Sequence, residues 1–194
     1  MPSLSHKHHF SRRHLAFVPC SILFLLCALF ASCSNTDSAL DWESVESTIA
    51  TEFPDIRQMT TDDLANILDD DAKEVMLLDV REDDEVAVSH LLGAVRVGSV
   101  QEAATLIQSA PQHTIIVAYC SVGYRSAELV SDLQQLSTRT VYNLNGSLFR
   151  WANEDRAVYR GTERVTTVHP FNEHWGTLLD ISLHAYEPSL PINH

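Results

Sequence analysis

The sequence predicts an α/β fold: a central, mostly parallel sheet with helices on both faces. Three observations predict it. Short runs rich in apolar and β-branched residues recur at 75–79, 94–97, 114–119 and 140–144, each the length of a single strand. Stretches with apolar residues at helical spacing lie between them. Strands alternating with helices build parallel sheets, and the near-continuous apolar character of 75–79 and 114–119 suits strands covered on both sides.

The elements follow in order. Residues 34–53 are polar and acidic, with Trp42, Val45 and Ile49 spaced for a short amphipathic helix. Composition alone makes residues 33–55 a spacer. Thr60 and Thr61 can cap a helix carrying Leu64, Ile67 and Leu68, with Asp62 and Asp63 in its first turn. Asp69-Asp70-Asp71 ends it as a solvated acidic turn, because the glycine and distant glutamate of a calcium loop are missing. The strand 75–79 leads into Val80, Arg81 and Glu82, a short helix over 83–90, a turn at Gly93 and the strand 94–97. Residues 101–109 form a helix closed by Pro111, before the strand 114–119. A helix over 125–136 carries Ala127, Leu129, Val130, Leu133 and Leu136, and the strand 140–144 follows. Asn145-Gly146 makes a turn into a short helix beginning at 148–151.

The N-terminus has a different character. Arg12 and Arg13 precede 17 residues, 15–31, without a charge, and small residues end the run at Ala31-Ser32-Cys33. A basic region, an apolar region and a small-residue exit make a secretory signal. Residues 1–32 resemble a bacterial lipoprotein signal in particular, which implies a lipid acyl chain (palmitate) on Cys33, although Phe30 stands where leucine is usual. The alternative is an uncleaved anchor. Both place the remainder outside the cytoplasm, tethered to a membrane of the bacterial cell envelope. The segment 1–32 holds Lys7, Arg12 and Arg13 and no acid, so removing it takes the formal charge from −13 to −16. Such an acidic chain is not built for nucleic acid. Cys20 and Cys27 leave with the signal and Cys33 carries lipid, so Cys120 is left as the free thiol.

Cys120 stands between the strand 114–119 and the helix that follows. Free N–H groups at a helix start, within a curled loop, form a cup for an anion. Gly123 allows the loop to bend and Arg125 adds a permanent cation. Cysteines in such surroundings are the reactive ones, whereas an inert buried cysteine at a strand end needs neither the glycine nor the arginine. In parallel sheets ligands bind beyond the carboxyl ends of strands. Both Cys120 and the segment from Asp79 to Arg81 lie at such ends, and the two are expected to approach each other.

At these residues the chain resembles the rhodanese family of sulfurtransferases. Leu77-Leu78-Asp79-Val80-Arg81-Glu82 is similar to the family's opening signature, with Glu85 where it often has another acid. Ser89-His90-Leu91-Leu92-Gly93-Ala94 resembles its glycine-histidine-isoleucine-proline-glycine-alanine segment, with Ser89 and Leu92 replacing the first glycine and the proline. Cys120-Ser121-Val122-Gly123-Tyr124-Arg125-Ser126 resembles its active-site loop, and Asn145 to Trp151 its closing turn and tryptophan. The resemblance implies a single rhodanese-like domain over about 56–155, with a C-terminal extension at 156–194.

It also implies that Cys120 takes a sulfane sulfur from a small-molecule or protein donor, holds it as a persulfide, and passes it to a thiol acceptor, without cofactor or metal. Ser121, Val122, Gly123, Tyr124, Arg125 and Ser126 would then cradle the sulfur, and Asp79 and Arg81 would brace neighbouring loops through an ion pair. Thiol-based phosphatases resemble such proteins but place one residue more between cysteine and arginine, and the shorter loop here suits a sulfur atom. The loop has one cation, Arg125, in an acidic chain, so a persulfide donor is expected in preference to thiosulfate. The second functional class is a tethered binding or redox-sensing module without turnover.

Beyond the resemblance, His169, His174 and His184 lack the spacing of a defined metal site, and the tail's aromatics are expected to pack on the domain. Asn145-Gly146-Ser147 fits a glycosylation acceptor, but in a bacterial lipoprotein it is a turn.

Overall fold

The computed structural model describes residues 40–188. The signal 1–32, Cys33 and the last residues of the C-terminal extension lie outside them. The chain runs through α1 (Trp42–Glu52), β1 (Arg57–Met59), α2 (Thr61–Leu68), β2 (Val75–Asp79), α3 (Asp83–Val88), β3 (Val95–Arg96) and α4 (Val100–Ser109). It continues through β4 (Ile115–Tyr119), α5 (Tyr124–Leu133), β5 (Val141–Leu144), α6 (Ser147–Asn153), β6 (Val158–Arg160), β7 (Glu163–Val165) and α7 (Glu173–Gly176).

Five strands form one sheet in the order β1-β5-β4-β2-β3, and each neighbouring pair is parallel. The side-chain alternation of a strand explains the two covered faces. On β4, Ile116 and Ala118 join Leu78 of β2 in a core built with Ala103, Ile107, Leu129 and Leu133 of α4 and α5. Val117 and Tyr119 point the other way, into a core with Leu77, Val45, Ile49, Leu64, Leu148 and Phe149. The chain leaves β2 toward β3 on one side, and leaves β4 toward β5 on the other. The adjacent carboxyl ends of β2 and β4 therefore lie at a reversal of winding, where such sheets bind ligands.

The helix starts follow the capping chemistry of the sequence. Thr60 accepts from the Asp63 N–H at 3.0 Å, and Ser99 accepts from the Glu102 N–H at 3.2 Å. Helix α5 ends at Leu133, one turn before the expected 136.

Three features differ from the sequence reading. Strand β1 has Arg57 and Gln58 exposed and only Met59 buried, so it lacks the signature of a core strand. The antiparallel hairpin β6–β7 consists of two three-residue strands. Helix α1 falls within the stretch read as a spacer, yet it is packed into the domain: Val45 and Ile49 are buried, and the Arg150 guanidinium stacks 4.5 Å over the Trp42 ring. That part of 33–55 is a wall of the domain core. The segment after β7 is likewise fastened down, with Val168, Leu178 and Leu179 in the same core as α1.

Candidate active site

The site is assembled where β2 and β4 end. Asp79 and Tyr119 are register partners on these strands, and the Val80 N–H donates to the Tyr119 carbonyl at 3.0 Å. The segment after Asp79 and the loop after Tyr119 are thereby held side by side, as the strand ends predicted.

Cys120 is 1% exposed and begins that loop. Its backbone is gripped by the start of α6: the Cys120 N–H donates to Ser147 Oγ at 3.1 Å, and the Leu148 N–H donates to the Cys120 carbonyl at 3.1 Å. The Phe149 N–H takes the next carbonyl, that of Ser121, at 2.9 Å. Gly146 and Ser147 turn the chain into α6 with φ of +71° and +48°. The Asn145-Gly146 turn of the sequence thus clamps the cysteine loop from outside it.

The Gly123 N–H donates to Cys120 Sγ at 3.1 Å. Gly123 has φ +108°, a region closed to other residues without strain, and a Cβ there would stand 3.3 Å from the Leu144 carbonyl oxygen. Its own carbonyl accepts from the Ala127 N–H, from Asn143 Nδ2 at 3.1 Å and from Ser126 Oγ at 3.3 Å. These three donors fix the residue from its carbonyl side, while its N–H, in the preceding peptide unit, faces the sulfur. A negative charge on Sγ would meet a fixed donor at the head of α5.

The charged part of the site is a buried cluster around Glu85, on α3. Arg125 Nη1 and Nη2 donate to the two carboxylate oxygens of Glu85, each at 2.8 Å. Ser121 Oγ donates to Glu85 Oε1 at 2.6 Å and accepts from Arg125 Nη2 at 3.0 Å. The Glu82 N–H supplies a further donor at 3.0 Å. Burial pushes the Glu85 carboxyl up, but the hydrogen bonds from Arg125 and Ser121 and the arginine charge outweigh it and hold it below the ordinary carboxylate value. Burial lowers the Arg125 pKa, and the bonds to Glu85 with the nearness of Cys120 more than offset this, so it lies above the ordinary value. The loop's cation is therefore already matched by a carboxylate.

Asp79 and Arg81 form a second pair. Arg81 Nε and Nη2 donate to the Asp79 carboxylate at 2.9 and 2.6 Å. Nη2 also donates to the Ser89 carbonyl at 2.7 Å, which ties the 89–94 turn to the end of β2. Both side chains are fully buried. Burial alone would lower the Arg81 pKa; the Asp79 charge and hydrogen bond overcome it and raise it.

A pocket of about 190 Å³ opens over the sulfur, lined by Cys120, Ser121, Val122, Tyr124, Arg125, Phe171 and Trp175. The Phe171 ring lies 4.8 Å from the Arg125 guanidinium. The Tyr124 hydroxyl donates to Glu52, which anchors this wall to α1.

The structure thus gathers Cys120, Ser121, Val122, Tyr124 and Arg125 around the pocket, with Gly123 and Ser126 shaping the loop behind it. The Ser121 hydroxyl is turned to Glu85, and Asp79 and Arg81 are absent from the pocket lining. Glu85, Asn143, Ser147, Phe171 and Trp175 were not assigned site roles from sequence; the signals were the acid at Glu85 beside the opening motif, the place of Ser147 in the closing turn, and the tail aromatics expected to pack on the domain. Among the described residues no group of three His, Cys, Asp or Glu side chains could hold a metal ion. His169 Nδ1 accepts from the Phe171 N–H at 3.0 Å, and His184 Nε2 lies 3.2 Å from the Gly176 and Leu179 carbonyls.

Residues 60–154 match the family model of the rhodanese-like domain. A rhodanese-like domain protein from Staphylococcus aureus is 28% identical over 50% of this chain and 91% of its own, with a TM-score of 0.42. A protein from Bacillus halodurans is 17% identical over 70% of this chain and 97% of its own, with a TM-score of 0.51. Thiosulfate sulfurtransferase from Pseudomonas aeruginosa is 17% identical over 63% of this chain and 23% of its own, with a TM-score of 0.50. The last two share the fold. No curated protein matches the chain. The protein carries a rhodanese-like domain, with α1 before the matched segment and β6, β7 and α7 after it.

Proposed function

We propose that the protein is a sulfurtransferase that moves a sulfane sulfur through a persulfide on Cys120. The observation that carries this reading is the Gly123 N–H directed at Cys120 Sγ, beneath a pocket, in a rhodanese-like domain. In the first step the Cys120 thiolate attacks the outer sulfur of the donor and the donor's S–S bond breaks. In the second, an acceptor thiolate attacks the outer sulfur of the Cys120 persulfide and regenerates the thiolate. The Gly123 N–H stabilises the Cys120 thiolate. Glu85 holds Ser121 and Arg125, and Asn143 and Ser126 hold Gly123, so the loop need not reorganise as charge moves. On the same reading the chain is attached to the cell envelope through lipid on Cys33, with a small-molecule or protein donor and a thiol acceptor outside the cytoplasm. A Cys33→Ser chain that stays in the membrane fraction would contradict that attachment.

One feature favours the alternative of a binding or redox-sensing module: Cys120 is almost wholly covered. Intact mass after exposure to inorganic polysulfide separates the two. Sulfur transfer predicts a gain of one sulfur atom in the wild type and none in Cys120→Ser. An unchanged wild-type mass supports the module.

A further inference from the structure

We propose that the pocket over Cys120 selects small organic persulfides whose substituent is uncharged and apolar, aryl or short alkyl, against thiosulfate. This rests on the sulfur-transfer reading and names its substrate class. The walls of the pocket are Val122, Tyr124, Phe171 and Trp175, and its cation, Arg125, is matched by both oxygens of Glu85. A dianion entering here would have to compete with a buried carboxylate that already holds the guanidinium, in a chain of formal charge −13. The Phe171 ring lies 4.8 Å from that guanidinium and takes up part of its free surface.

Two of these walls come from residues beyond the matched family segment, and they are built in. Phe171 takes φ +64°, a rare conformation for a bulky residue, and its N–H is held by the buried His169 ring. Asn172 caps α7 by accepting from the Trp175 N–H at 3.0 Å, and Leu178 and Leu179 anchor the following turn in the core. The size fits as well: an apolar cavity of about 150 Å³ is enough for a benzene-sized group, and this pocket measures about 190 Å³.

The step is redox-neutral. The Cys120 thiolate attacks the terminal sulfur of R–S–SH, the S–S bond breaks with its electron pair leaving on R–S⁻, and Cys120–S–SH remains. The aromatic walls hold R, which orients the S–S bond toward Sγ.

The test uses the full chain in detergent and reads Cys120 persulfide by intact mass against time. Benzyl persulfide, released in place by hydrolysis of its S-acyl derivative (an acyl benzyl disulfide, which yields the carboxylic acid and the persulfide), is compared with thiosulfate and with inorganic polysulfide. Loading from benzyl persulfide is expected to exceed that from thiosulfate at least tenfold at equal concentration. The ratio of benzyl persulfide to polysulfide loading is expected to fall several-fold in Trp175→Ala and in Phe171→Ala, the second being a 39% exposed residue whose truncation spares the core. Loading from polysulfide with no preference for benzyl persulfide, or with a ratio unchanged in both variants, overturns the proposal and leaves sulfur transfer standing. No loading from any donor overturns both.

Discussion

Two arginine–carboxylate pairs stand a few residues apart at the carboxyl end of the sheet, and they are similar in chemistry but not in surroundings. Arg81 and Asp79 are 0% and 1% exposed, and Arg81 spends its remaining donors on backbone carbonyls. Glu85 is equally buried, but its partner Arg125 is 28% exposed and forms part of the pocket wall. The first pair is enclosed on every side and can only brace. The second has one face toward whatever enters, so its charge balance decides what the pocket accepts. The difference shows how one residue pairing serves as a strut or as a filter according to the water left beside it.

Breaking each pair separates the roles, and the largest effect is expected at the enclosed one. Arg81→Ala leaves the Asp79 carboxylate buried without its partner and is expected to lower stability by about 3–5 kcal/mol, measured by denaturant unfolding. Arg125→Ala leaves Glu85 with Ser121 and the Glu82 N–H, and water can enter where the guanidinium was. Its expected cost is about 1–3 kcal/mol, together with slower loading of Cys120 by any anionic donor. Equal losses in the two variants would erase the distinction.

The smallest effect sharpens the comparison by pH. The Glu85 carboxyl titrates lower in the folded protein than its ordinary value of 4.5. The unfolded chain therefore binds the proton first as pH falls. The stability Glu85 contributes is fully present above about pH 4.5 and is lost as pH drops through its lower folded value. Glu85→Gln is expected to flatten that acid limb of the stability curve; a limb of unchanged slope would show that other carboxylates set it.

Much of this arrangement was legible in the sequence, and the rest has identifiable physical reasons for being hidden. Buried parallel strands need apolar residues on both faces, so β2 and β4 announce themselves, and Cys120, Gly123 and Arg125 sit within six residues of one another. Strand β1 at the sheet edge needs only Met59 inward, and its polar residues hide it. The role of Glu85 depends on Arg125, 40 positions further on, and on a burial that no local pattern reveals. Phe171 and Trp175 reach the pocket through a turn with an unusual backbone angle, in a tail without motif. Composition also misleads at α1: a polar, acidic helix looks like a tether, but its few apolar residues are the ones that pack.

The central claim is that Cys120 carries a transferable sulfur, and a single-turnover discharge tests it most directly. The chain is loaded with isotopically labelled sulfane sulfur, freed of donor, and mixed with an excess of acceptor thiol while protein mass and label are followed. Sulfur transfer predicts that one labelled sulfur per chain leaves on the acceptor and that the protein returns to its unloaded mass with Cys120 free. Label that never attaches, or a stable mixed disulfide between Cys120 and the acceptor as the end state, would contradict it.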